Sequence, residues 1–131
     1  MSKYAFGKKV NMGFDQAVAA VTQALAKEGF GVLTEIDVQA TLRDKLGEEL
    51  DPYLILGACN PPYAHRALQL EPELGTLLPC NVVVYVEGGE THVSGVDPVA
   101  MLGIVDNAEL DPVAVEIRAR MERAVARVWD A

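Results

Sequence analysis

Two cysteine–asparagine pairs, Cys59-Asn60 and Cys80-Asn81, carry the side chains in this sequence best suited to chemistry. Each lies beside proline between apolar runs: Cys59-Asn60 precedes Pro61-Pro62, and Cys80-Asn81 follows Leu78-Pro79. An ionised thiol is a nucleophile or a soft-metal ligand, and an asparagine amide both donates and accepts hydrogen bonds. Asp97, ahead of Pro98, occupies a third position of the same kind. His65 and Met101 extend the thiols to a Cys59, His65, Cys80, Met101 set of the softness that suits Cu(I) or Zn(II). The spacing matches no standard metal motif, and no C-x-x-C is present, so the dithiol redox signature is missing as well.

The elements around these residues are marked by local signals. Residues 4–10 alternate as a first strand, with Gly7 a candidate bulge. Phe14, Val18, Val21 and Leu25 recur at helical spacing, and Gly29 ends that helix. Residues 30–36 form a second strand. Asp37 caps a short helix whose apolar face is Val38, Leu42 and Leu46, closed by Gly47. A third strand runs over 53–59, and Asn60 caps a helix that begins at Pro61 and reaches about Leu70. Residues 82–86 and 90–96 are the fourth and fifth strands, joined through Gly88-Gly89 by a two-residue hairpin turn. Asp97-Pro98 opens a short helix ending near Gly103. Asp111-Pro112 opens the last one, with Val113, Ile117, Met121, Ala124 and Val128 as its core stripe. This order, β-α-β-β-β-β-α with short helices in the links, predicts an α+β fold: an antiparallel sheet of about five strands with helices mainly on one face, in a single domain over residues 1–131.

If the third, fourth and fifth strands are neighbours, Cys59-Asn60, Cys80-Asn81 and Asp97 meet at one end of the sheet. Asn60 and Asp97 would each open a helix there, and helix N-termini attract anions. The expected site is therefore Cys59, Asn60, Cys80, Asn81 and Asp97. Each member also has a purely structural use: the cysteines as small buried hydrophobes, Asn60 and Asp97 as caps, Asn81 as a bond to a neighbouring loop. The arginines of the last helix, Arg118, Arg120, Arg123 and Arg127, interleave with Glu116 and Glu122 and read as a solvated, salt-bridged face.

The bulk properties narrow the partners. A chain of 131 residues buries about two-thirds of its unfolded surface around one core. Half its residues are hydrophobic, which is globular rather than disordered. A net charge of −8 repels DNA and RNA, whose binding relies on clustered Lys and Arg. No apolar run reaches the roughly 18 residues of a membrane helix, and Met1-Ser2-Lys3-Tyr4 does not begin a secretory signal. The expectation is a cytoplasmic protein with reduced thiols, no nucleic-acid partner and no membrane partner. There is no phosphate loop, no G-x-S-x-G and no H-E-x-x-H.

Assembly follows from the strands. The fourth is apolar on both faces, Val82, Val84 and Val86 opposing Val83 and Tyr85, and the third repeats this with Leu54 and Leu56 opposing Tyr53 and Ile55. Helices cover one face of an antiparallel sheet, and a second copy of the chain is the simplest cover for the other, which predicts a homodimer. The alternative is that the linking helices wrap both faces.

Gly57-Ala58-Cys59-Asn60-Pro61, then Leu77-Leu78-Pro79-Cys80-Asn81-Val82-Val83-Val84-Tyr85, then Val96-Asp97-Pro98 with Met101, resemble the family catalogued as domain of unknown function 302. The resemblance covers nearly the whole chain. It implies a TATA-binding-protein-like α+β fold in a single copy, with members that tend to form dimers, and it implies no activity or cofactor. The likeness to a DNA-binding fold is architectural, and the acidic charge opposes that role.

Three functions remain, in this order. The first is a binding module for a small ligand, an anion or a soft metal at the sheet edge. The second is a structural or interaction protein without a ligand, which requires a filled corner with no pocket. The third is a thiol enzyme that cycles through oxidation or carries sulfur, which requires an exposed thiol of lowered pKa.

Overall fold

In the computed structural model, residues 2–129 are described; Met1, part of the N-terminal segment weighed above for a signal, lies outside them. The chain forms β1 (Ala5–Val10), α1 (Phe14–Lys27), β2 (Gly31–Asp37), α2 (Val38–Leu46), β3 (Tyr53–Cys59) and α3 (Pro61–Leu70). A 3-10 segment, Pro72–Leu77, leads into β4 (Cys80–Glu87), β5 (Glu90–Val96), α4 (Pro98–Leu102), two 3-10 turns and α5 (Asp111–Arg127). The five strands make one antiparallel sheet in the order β1-β5-β4-β3-β2. The expected α+β architecture is the observed one, and β3, β4 and β5 are neighbours.

Local chemistry explains the joints. At the end of α1, Gly29 takes φ +86°, so Phe30 N–H reaches the Leu25 carbonyl at 3.0 Å and the chain turns into β2. Asp37 ends β2 and accepts from Ala40 N–H at 2.9 Å, which starts α2. Gly88 and Gly89, at φ +59° and +78°, close the β4–β5 hairpin, with Glu87 opposite Glu90. The fourth strand begins at Cys80, two residues before its expected start, because Cys80 pairs with Ala58.

One face of the sheet is the core. Leu56, Ala58, Val82, Val84 and Val93 are inaccessible to solvent there, against α1 and α5. Gly95 makes the close approach of α5 possible: a Cβ at that position would stand 2.6 Å from Met121 Sδ. The other face, with Tyr53, Ile55, Val83, Tyr85 and His92, is only half buried. Tyr53, Tyr85 and His92 stack across three adjacent strands, with ring centroids 5.3 and 4.9 Å apart.

The apolar face of α2 is only partly covered, with Val38 and Leu42 half buried. None of its residues is buried, and Leu46 is 68% exposed. Helical periodicity shows that a helix has an apolar side, but only packing shows whether the same chain covers it.

Candidate functional site

The register brings the two cysteines to adjacent strands at one end of the sheet. Cys80 pairs with Ala58, while Cys59, the next residue, pairs with Gly31. Both thiols are free. Both line a cavity of about 280 Å³ between the sheet end, α3 and the 3-10 segment, with Asn60, Ala64, Leu68 and Pro79 among its walls. Cys80 is buried and Cys59 half buried. Burial, with a smaller effect from Cys59, pushes the Cys80 thiol up to about 11, so it is protonated at neutral pH. A protonated buried thiol is a small hydrophobe rather than a nucleophile.

Asn81 and Asp97 lie elsewhere. Successive side chains of a strand point to opposite faces, so Asn81 is turned from Cys80 to the open face, where it lines a groove with Tyr53, Val83 and Tyr85. Asp97 caps α4, accepting from Val99 N–H at 2.9 Å, and pairs with Arg118 Nε at 3.4 Å. The five expected site residues therefore divide three ways.

The helix N-termini also differ from expectation. Asn60 makes no side-chain cap; its Nδ2 donates instead to the Glu28 carbonyl at 3.1 Å, which ties the start of α3 to the end of α1. Pro61 and Pro62 have no N–H to offer, and at α4 Pro98 lacks one while Asp97 takes that of Val99. Few free donors remain for an anion at either end.

The soft-metal set does not assemble. His65 is exposed on α3, Met101 packs against the core from α4, and neither lines the cavity. Among the described residues, no group of three or more His, Cys, Asp or Glu side chains could hold a metal ion.

One cluster escaped the sequence reading. Glu28, only 5% exposed, accepts from Arg123 Nε at 2.9 Å and from Arg127 Nη1, while its carbonyl accepts from Arg120 Nη1 at 3.0 Å as well as from Asn60. Burial pushes the Glu28 carboxyl up, but the hydrogen bonds and charges of Arg123 and Arg127 outweigh it and hold the group below the usual glutamate value. Three arginines read as a solvated face thus fasten α5 to the end of α1, beside the cavity-lining Asn60. The available signal was the placement of Arg123 and Arg127 one turn apart on α5, which lets both reach one acid.

The chain matches the family described as "Domain of unknown function DUF302" over residues 6–128. It is also similar to a solved structure, the uncharacterized conserved protein DUF302 from Bacillus stearothermophilus. That protein shares 30% sequence identity, with a TM-score of 0.90 over 97% of this chain and 99% of the other. No curated protein matches this chain. The extent of the family match and the shared fold place this chain in the DUF302 family.

Proposed function

We propose that this DUF302 protein is a binding module, and that its ligand enters the cavity lined by Cys59 and Cys80. The supporting observation is the cavity itself: a purely structural role for the thiol corner requires it to be filled. The protonated state of Cys80 weighs against a thiol enzyme using that residue. Apolar cavities of about 150 Å³ in other proteins admit xenon, so xenon is a direct probe of this one. Under xenon pressure, the methyl resonances of Ala58 and Ala67 are expected to shift in the wild type and to stay fixed in Ala64→Leu, whose larger side chain occupies the space. Fixed resonances in both proteins would mean that the corner is closed, and the binding reading would fail.

The open sheet face supports a homodimer as the working form. Tyr53, Val83, Tyr85 and Val96 line a groove there beside Leu50, and Ile36 on β2 is 49% exposed. Contiguous apolar surface of this kind marks an association site in soluble proteins. Sedimentation equilibrium is expected to give twice the chain mass for the wild type. Tyr85→Glu, which sets a charge in the middle of the face, is expected to give the chain mass with unchanged circular dichroism. A wild-type monomer at high concentration removes this part of the proposal. Acting inside the cell without a nucleic-acid partner completes the reading.

A further inference from the structure

The chemistry of the cavity wall narrows the ligand. We infer that the cavity takes an uncharged, hydrocarbon-like molecule about the size of two fused aromatic rings, in preference to an anion or a metal ion. This inference rests on the proposal that the cavity is a binding site, and it names the class of molecule that site selects.

Among the described residues, none of those lining the cavity carries a charge. Its walls are Leu, Ala, Phe, Pro and Ile side chains, the two thiols, and Asn60. Asn60 has one amide N–H engaged by the Glu28 carbonyl, so the wall's polar side-chain capacity is what remains of one neutral amide. No buried side-chain nitrogen or oxygen among the described residues lacks a hydrogen-bond partner. A ligand that brought a charge or several polar groups inside would therefore leave water and find at most the one neutral amide of Asn60 to replace it, a large penalty. The protonated Cys80 thiol adds no charge and offers only a weak donor, which an aromatic face can accept.

Size and entrance agree with this class. An apolar cavity of about 150 Å³ holds one benzene ring, and this one is about 280 Å³. The rim is apolar too: Leu33 is 68% exposed and Leu68 38% exposed, and both line the cavity. Leu33 stands out because β2 bulges between Val32 and Thr34, which inserts an extra residue there. Both exposed leucines thus have a use as the lip of an apolar entrance.

Cys59 supplies the readout, being half buried on the cavity wall. With naphthalene at about ten times its Kd, alkylation of Cys59 by iodoacetamide is expected to slow about tenfold, since only the unoccupied protein reacts. Naphthoate is expected to protect less well at equal concentration, and zinc(II) ions not at all. Protection by naphthalene should be lost in Ala64→Leu. Should that variant fail to fold, Leu68→Gln, a change at a partly exposed rim position, should weaken protection instead. If naphthoate or zinc(II) protects Cys59 better than naphthalene, the class is wrong while the cavity remains a binding site. If none of them protects Cys59 and xenon shifts no methyl resonance, both this inference and the binding reading fall.

Discussion

A Gly57→Ala variant is expected to unfold in urea with about 2–3 kcal/mol less stability than the wild type, the upper part of the range for overpacking a filled site. Gly57 lies on β3, between the edge strand β2 and the central strand β4, paired with Thr34 on one side and Asn81 on the other. A Cβ there would overlap Thr34 Oγ1 and stand 2.8 Å from Pro79 Cγ. Strand β3 cannot retreat without breaking its pairing with β2 or β4, and the proline ring cannot rotate away as a flexible side chain would. Thr34→Ala in the same background should restore part of the loss by removing one of the two overlaps. The remainder belongs to Pro79, and the double-mutant cycle separates the two. Pro79 also walls the cavity, so Gly57→Ala is expected to speed alkylation of Cys59. A variant within about 0.5 kcal/mol of wild type, the usual effect of an ordinary surface change, would show that Pro79 does not press on β3 in this way.

The second large effect is expected at Glu28. Its carboxyl is a stronger acid in the folded chain than in the unfolded one, so the unfolded state binds more protons as the medium is acidified. Stability from this group is complete above the ordinary value of 4.5 and is lost as the pH falls through the lower folded value. Glu28→Gln should flatten that part of the acid-unfolding profile. The double variant Arg123→Ala/Arg127→Ala should do more, because it leaves a carboxylate that is 5% exposed without either guanidinium. About 2–3 kcal/mol should be lost at neutral pH, somewhat less than the roughly 3–5 kcal/mol for breaking a fully buried pair. The arginines are themselves about half exposed, and solvent screens part of the interaction. Burial then acts on Glu28 unopposed and raises its pKa, so its contribution should change sign and stability should fall as the pH rises through the new value. Thermal unfolding from pH 3 to pH 8 reads this directly. An unchanged profile in the double variant would mean that the arginines do not set the state of Glu28.

Both predictions concern contacts that hold the cavity together, and both were invisible one residue at a time. The order of elements was legible because its signals are short in range. Gly29, Gly47 and the Gly88-Gly89 pair supply positive φ angles where the chain must turn, and Asp37 and Asp97 cap helices within three residues of themselves. Alternation in β3 and β4 revealed two apolar faces, and the sheet indeed has one buried face and one half-buried face. The separation of Cys80 from Asn81 was within reach of the same argument, since neighbours on a strand point apart.

Other features depended on how distant elements pack. Asn60 has the sequence of a helix cap, yet the Glu28 carbonyl, 32 residues earlier, takes its amide once α1 and α3 are docked. Arg123 and Arg127 look solvated along α5, and they find Glu28 only across the helix pair. The stripe of α2 looks like core, yet among the described residues it is only partly covered, with Val38 and Leu42 half buried and Leu46 exposed. Above all, a cavity is a volume left between surfaces, and its existence depends on the positions of α3 and Pro72–Leu77 over the sheet end. The amino-acid order sets periodicity, caps and turns because these are energies between near neighbours; which surfaces meet, and what space they enclose, follows only from the packing of the whole chain.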